Sequence, residues 1–193
     1  MSVVTVEKRG PVSIIAIDRP EKLNAINKAV AVELQAAFEE FDLSAQRVAI
    51  LTGNGGRAFS SGADVTDLPE LWRCVPTVGI KTEKPIIAAV SGWCIGGALV
   101  MAMMSDLLVA ADNARFSYPE GKVGITGGMI AGLAARIPHK VAMELMLLLS
   151  SFLASRCKAL NSGAEIFRCI ASVSGASDVV VMQLVRLLLR IVQ

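Results

Sequence analysis

Pro85-Ile86-Ile87-Ala88-Ala89-Val90-Ser91-Gly92-Trp93-Cys94-Ile95-Gly96-Gly97-Ala98-Leu99-Val100-Met101-Ala102-Met103-Met104-Ser105 is a run of 21 residues without a charge, and its reading decides the fold. A run of that length is able to cross a bilayer. Gly92 and Gly96 even carry the small-residue spacing that lets membrane helices approach closely. The internal punctuation argues for something else. Ile86 to Val90 reads as a short buried strand, Ser91-Gly92 breaks it, and a new apolar run opens at Gly96-Gly97. A strand, a turn and a buried helix near 97–105 account for the stretch without lipid, and no second span of that length exists. No membrane partner is expected.

Outward from this segment the pattern is strand alternating with helix. Residues 3–6 and 12–17 are β-branched runs separated by Gly10-Pro11, which predicts two strands and a turn. Asp18-Arg19-Pro20 ends the second strand. Asn27 is a candidate N-cap for a helix over about 28–42, with Leu34, Phe38 and Phe41 on one face. Val48 to Leu51 predicts a buried strand, followed by a Gly53-Asn54-Gly55-Gly56 loop. Residues 107–110 predict another strand. Near-continuous apolar strands interleaved with helices indicate an α/β chain with buried, largely parallel pairing.

Composition agrees and narrows the partners. The chain has 193 residues, 53% hydrophobic and 19% charged, with a net charge of +2. Its mean hydropathy is +0.56. That apolar surface excludes intrinsic disorder, and the charge gives no electrostatic case for nucleic acid. Cys74, Cys94, Cys157 and Cys169 show no metal-ligand spacing, and His139 is the sole histidine, so no metal site is expected. No secretory signal is visible, and a cytoplasmic protein with reduced thiols is expected. The composition changes near residue 150. Residues 1–149 hold 14 Lys and Arg against 15 Asp and Glu, whereas 150–193 hold five against two. Val179 to Val192 fits an amphipathic helix with Arg186 and Arg190 on one side.

Several familiar sites are absent. Gly53 to Gly56 lacks the third glycine of a dinucleotide fingerprint, and Gly121-Lys122 is not followed by Ser or Thr. Ser60 and Ser61 have no nucleophile-elbow frame, and His139 after Pro138 reads as a surface residue at a helix start. Gly96-Gly97 opens an apolar helix, where unpaired N–H groups and the dipole attract a polar ligand atom. Close strand–helix packing explains the same glycines. Glu120, between Pro119 and Gly121 in apolar surroundings, fits a carboxylate of raised pKa serving as acid or base. An exposed turn residue fits as well.

Three segments are read together with the opening of the chain. They are Arg57-Ala58-Phe59-Ser60-Ser61-Gly62-Ala63-Asp64-Val65-Thr66-Asp67-Leu68, the run from Ser91 to Met104, and Ala114-Arg115-Phe116-Ser117-Tyr118-Pro119-Glu120-Gly121 with its glycine-rich continuation to Gly128. With Ile17-Asp18-Arg19-Pro20-Glu21-Lys22-Leu23-Asn24-Ala25, they resemble the enoyl-CoA hydratase/isomerase (crotonase) family over residues 3–148. The resemblance implies the crotonase-like (ClpP/crotonase) β-β-α spiral over 1–148. It also implies a substrate carried as a coenzyme A thioester, no prosthetic group, and a homotrimer or hexamer. The N–H groups of Ala63 and Gly97 would hold the thioester oxygen as it becomes an enolate, each worth roughly 3–4 kcal/mol in the transition state. Asp64, Val65 and Thr66 would flank the thioester, and Lys22, Leu23 and Ala25 would lie along coenzyme A. Glu120 would be the general acid/base.

Two departures limit what is expected. Hydratases of the family use a second glutamate three residues after Gly97, and Val100 stands there. One carboxylate still supports removal and redelivery of a proton beside a thioester, so isomerase-like chemistry is better supported than hydration. Asp64, Asp67 and Tyr118 are the alternative second groups. The short segment between Leu68 and Lys84 suggests a small acyl group. After Leu147, the family's Thr-Gly loop and Gly-Leu-Val-Asn-like segment do not follow. Residues 149–193 are therefore read as an atypical helical tail derived from a shifted reading frame. The rival reading is a catalytically inert CoA-thioester-binding protein.

Overall fold

The computed structural model describes residues 2–124, 128–148 and 151–153, together with Arg186. The expected 179–192 helix and the shifted-frame reading of the tail fall outside these residues, apart from Arg186 and the short 151–153 segment. Two sheets organise the chain. The larger contains β1 (Val4–Arg9), β2 (Val12–Ile17), β3 (Val48–Gly53), β5 (Ile86–Val90) and β7 (Leu107–Ala110), in the order β1-β2-β3-β5-β7. β1 and β2 pair antiparallel across the Gly10 turn, and all other pairs in this sheet are parallel. The smaller sheet has the order β4-β6-β8-β9, built from β4 (Ala58–Ser60), β6 (Trp93–Ile95), β8 (Arg115–Ser117) and β9 (Ser151–Leu153). Its first three strands are parallel, and β9 returns antiparallel with Phe152 opposite Phe116.

Alternation within the large sheet sends residues to two buried faces. Ile15, Ile17 and Leu51 join the main core with α1 (Lys28–Leu43), while Val12, Ile14, Val48, Ile50, Ile87 and Val109 form a separate apolar cluster. This is why the strands read as unbroken apolar runs rather than alternating ones. The α1 helix starts where expected, because the Asn27 side chain accepts the Val30 N–H at 3.0 Å. It buries Val30, Leu34, Phe38 and Phe41, with the two phenyl rings packed edge to face at 6.2 Å. Lys84 Nζ closes the far end by donating to the Phe41 and Ser44 carbonyls at 3.0 and 2.8 Å.

The 21-residue charge-free run is β5, a turn at Ser91-Gly92, β6 and the eight-residue helix α2 (Gly97–Met104). Among the described residues no helix is long and apolar enough to cross a membrane. The small sheet is the main feature the sequence reading lacks. Within the quoted segment 57–68, residues 58–60 form β4, a strand not anticipated above. Residues 151–153, at the head of the expected helical tail, are extended.

Asn24 ties the loop after β2 to this small sheet. It is fully buried at a positive φ of 56°, a conformation asparagine tolerates. Its Nδ2 donates to the Asn54 and Ala58 carbonyls at 2.9 and 2.8 Å, and its Oδ1 accepts the Arg19 N–H at 2.9 Å. Gly53 leaves the room, since a Cβ there would stand 2.6 Å from Asn24 Nδ2. Asn24→Ala strands three backbone groups in the interior. It is expected to lower unfolding stability by about 3 kcal/mol, read from the urea midpoint at unchanged m-value.

Candidate active site

The three parallel strands of the small sheet deliver the candidate residues to one end. β4 ends at Ser60, β6 at Ile95 and β8 at Ser117, with Ser60 beside Cys94 and Ile95 beside Ser117. Beyond these ends lie Ser61-Gly62-Ala63, Gly96-Gly97 and Tyr118-Pro119-Glu120. The outer ends of parallel strands are where open α/β sheets place ligands.

Glycines allow these three segments to meet. Gly62 has φ +87°, and a Cβ on it would lie 2.7 Å from the Ile95 carbonyl and 3.6 Å from Gly97 N. Gly96 has φ +59°, and a Cβ there would overlap Oε1 of Glu120. The carboxyl of Glu120 therefore rests directly on the Gly96 backbone. The N–H of Gly96 is held by the Ser117 carbonyl at 2.9 Å, which fixes β6 and β8 at the point where both chains leave the sheet. On its other side, the Leu71 side chain packs where a Gly97 Cβ would be. Sequence reasoning missed Leu71, because the contact joins segments that only the fold brings together.

Ala63 and Gly97 offer free amides. Ala63 forms a parallel bridge with Ile26 in which Ile26 does the bonding. The Ile26 N–H donates to the Gly62 carbonyl and its carbonyl accepts the Asp64 N–H, both at 2.8 Å. Ladder geometry then turns the Ala63 N–H away from Ile26. Gly97 is the first residue of α2, so its N–H has no acceptor within the helix. Among the described residues, neither N–H donates a backbone hydrogen bond.

Glu120 is half-buried in a short 3-10 helix, Pro119–Val123. Its Oε2 is enclosed and has no hydrogen-bond partner among the described residues. Burial lifts its pKa above the ordinary carboxylate value, only partly offset by its own backbone N–H. The alternative of an exposed turn residue does not fit this placement.

The other expected residues fall on two adjoining loops. Arg19 Nη1 contacts Asp64 Oδ2 at 3.2 Å and donates to the Ala25 carbonyl at 2.6 Å. Asp64 Oδ1 accepts the Thr66 hydroxyl at 2.6 Å and its N–H at 3.1 Å. The Thr66 hydrogen bonds, followed by Arg19, hold the Asp64 carboxyl below its usual range. Asp64 is thus a brace between the 19–25 and 61–67 loops and is badly suited to carry a proton. Asp67 faces Lys28 at 3.3 Å. Lys22, Val65 and Thr66 are exposed, while Leu23 and Ala25 are half-buried. Tyr118 is buried, and Val100 is 6% exposed within the main core. His139 is the exposed first residue of α3 (His139–Leu147). Burial pushes the Cys74 thiol up to about 12, and that of Cys94 higher still, so neither is a ready nucleophile.

Comparison with known proteins gives one answer. The family profile described as enoyl-CoA hydratase/isomerase matches residues 7–163. A short-chain-enoyl-CoA hydratase of Clostridium acetobutylicum is 36% identical over 154 residues, covering 74% of this chain and 58% of that protein. A crotonyl-CoA hydratase of Syntrophomonas wolfei is 35% identical over 150 residues, covering 72% and 57%. The chain thus spans just under three-fifths of the length of these curated relatives. The solved enoyl-CoA hydratase of Mycobacterium tuberculosis superposes with a TM-score of 0.84 at 32% identity, over 100% of this chain and 76% of that one. The ordered motifs, the paired sheets and the sequence match converge, and the chain belongs to the enoyl-CoA hydratase/isomerase family, with the crotonase fold.

Proposed function

We propose that the chain acts on an acyl-CoA thioester through an enolate, with Glu120 as the general acid/base and the N–H groups of Ala63 and Gly97 as the oxyanion hole. The observation that carries this reading is the Glu120 carboxyl, resting on Gly96 with no hydrogen-bond partner at Oε2 among the described residues, beside a Gly97 N–H that donates no backbone hydrogen bond among them. A thioester oxygen between the two amides brings the neighbouring carbon toward that carboxylate. Glu120 removes a proton there, and negative charge moves onto the oxygen, where preorganised donors stabilise it. Returning the proton two carbons further along shifts the double bond and regenerates the carboxylate. No water is consumed.

Isomerisation is favoured over hydration because Val100 occupies the second carboxylate position and is buried in the main apolar core. Hydration would require one carboxylate both to activate water and to manage its proton. The relatives named above are hydratases, so the reaction of this chain is a point of departure from them. Lys22, Leu23, Ala25, Asp64, Val65 and Thr66 are assigned to the coenzyme A side, with Asp64 acting by bracing the two loops. A cytoplasmic trimer or hexamer accompanies this reading by family resemblance. The boundary between a 1–148 acyl-CoA domain and a 149–193 tail is tested by resequencing the coding DNA. A family-like continuation in another frame would support it, and its absence would remove it.

The same Val100 supports a second reading, an inert thioester binder. Incubating the protein with short 2- and 3-enoyl-CoA esters in deuterated buffer separates the two. Exchange at the carbon beside the thioester, with double-bond movement, is expected. Tight binding with neither reaction would establish the inert reading.

A further inference from the structure

A second cleft lies at the opposite end of the small sheet. Because β4, β6 and β8 are parallel, with Ala58 beside Trp93 and Trp93 beside Arg115, their starting residues gather at one edge just as their final residues gather at the other. Each strand is three residues long, which separates the two ends by about 10 Å. At the starting edge is a cavity of about 330 Å³, bounded by Leu23 and Gly56 and lined by Arg57, Trp93, Asn113 and Arg115.

The polar groups converge without being neutralised. Among the described residues no carboxylate lines this cavity. Among the described residues, neither the Arg57 nor the Arg115 guanidinium forms an ion pair or a side-chain hydrogen bond. Arg115 instead lies over the Trp93 ring, 5.3 Å from its centroid, a contact that orients the guanidinium and leaves its charge uncompensated. Asn113 is oriented as well. Its Oδ1 accepts from Ser91 Oγ at 3.1 Å and from the Gly92 N–H at 3.3 Å, which leaves Nδ2 as a donor. Gly92, at φ +67°, draws the strand starts together, since a Cβ there would overlap the Arg57 carbonyl.

Two planar cationic forks and an amide donor around one concavity match the oxygens and the double charge of a phosphate group better than the single charge of a carboxylate. We propose that this cleft binds the phosphate of a phosphate monoester, at a site separate from the one that holds the thioester. The phosphate has two sources, a free monoester or the nucleotide end of coenzyme A, whose proposed path shares Leu23 with this cleft; we assign the cleft to a free monoester, and competition by coenzyme A separates the two.

Titration of the full chain with inorganic phosphate at low ionic strength, followed calorimetrically, tests this without requiring turnover. A failure of the thioester reading leaves the outcome interpretable. Saturable binding is expected, with acetate weaker. Arg57→Gln combined with Arg115→Gln is expected to weaken phosphate by at least about tenfold. Arg57→Gln alone, which removes no ion pair or side-chain hydrogen bond among the described residues, is expected to show a smaller loss at an unchanged melting temperature. Coenzyme A is expected not to compete. No binding, or equal binding by the wild type and Arg57→Gln, would overturn the proposal. So would stoichiometric displacement of phosphate by coenzyme A, which would assign the cleft to the substrate's nucleotide end.

Discussion

Glu120→Gln is expected to slow deuterium exchange and double-bond movement by about 10³-fold while leaving acyl-CoA affinity within a few-fold. The substitution preserves the shape that rests on Gly96 and removes only the ability to take a proton. With the carboxylate form as the proposed base, the wild-type rate is expected to fall as pH drops through a pKa raised above the ordinary glutamate value by burial. The stability effect has the opposite sign. A raised folded-state pKa favours the folded protein at low pH, and that advantage is lost as pH rises through the folded pKa. Above its raised pKa the wild type carries a half-buried charge whose Oε2 has no hydrogen-bond partner among the described residues, and the glutamine variant carries none. The variant is therefore expected to melt higher than the wild type at neutral pH, with the gap closing below the unfolded glutamate pKa. Lost activity combined with gained stability distinguishes a working carboxylate from a structural one. An equal or lower melting point at neutral pH would count against the burial argument.

The sequence discloses the large sheet more readily than the small one for a physical reason. β2, β3, β5 and β7 are four- to six-residue apolar runs buried mainly by their own composition. β4, β6 and β8 are three residues each, too short to show a period, and β4 and β6 start and end near glycines whose purpose appears only in contact. Gly96, Gly97 and Glu120 stood out because helix-opening glycines and an isolated carboxylate are visible in one dimension. Their relation to one another is not. Gly96 and Glu120 are 24 residues apart, and they touch because the Ser117 carbonyl binds the Gly96 N–H where β6 and β8 end. Asp64 shows the converse. Its place beside Ala63 invites a proton-transfer role, and its bonds to Thr66 and Arg19 assign it to holding two loops together.

Gly96→Ala separates the geometry of the base from its chemistry. Two costs arise at once. A non-glycine residue at φ +59° and ψ −121° is strained, by about 1–3 kcal/mol. Its Cβ also claims the space of Glu120 Oε1. The backbone has no retreat, because the Ser117 carbonyl holds the Gly96 N–H at 2.9 Å and the Gly96 carbonyl accepts the Val100 N–H at 3.2 Å. The carboxyl must therefore move. A misplacement of about 1 Å at a reacting group is worth about 10²-fold in rate. A fall in kcat of that size is expected, with a much smaller change in KM, since Lys22, Leu23 and Ala25 lie on another loop. Gly10 supplies the control. It has φ 56° in the exposed turn between β1 and β2, far along the chain from the candidate site. Gly10→Ala is expected to cost stability through its positive φ alone and leave kcat unchanged. If both variants lost only stability, the carboxyl would have relaxed at no catalytic cost, and the Gly96 contact would not position the base. If only Gly96→Ala lost turnover, the rate would depend on where Glu120 is held as well as on its presence.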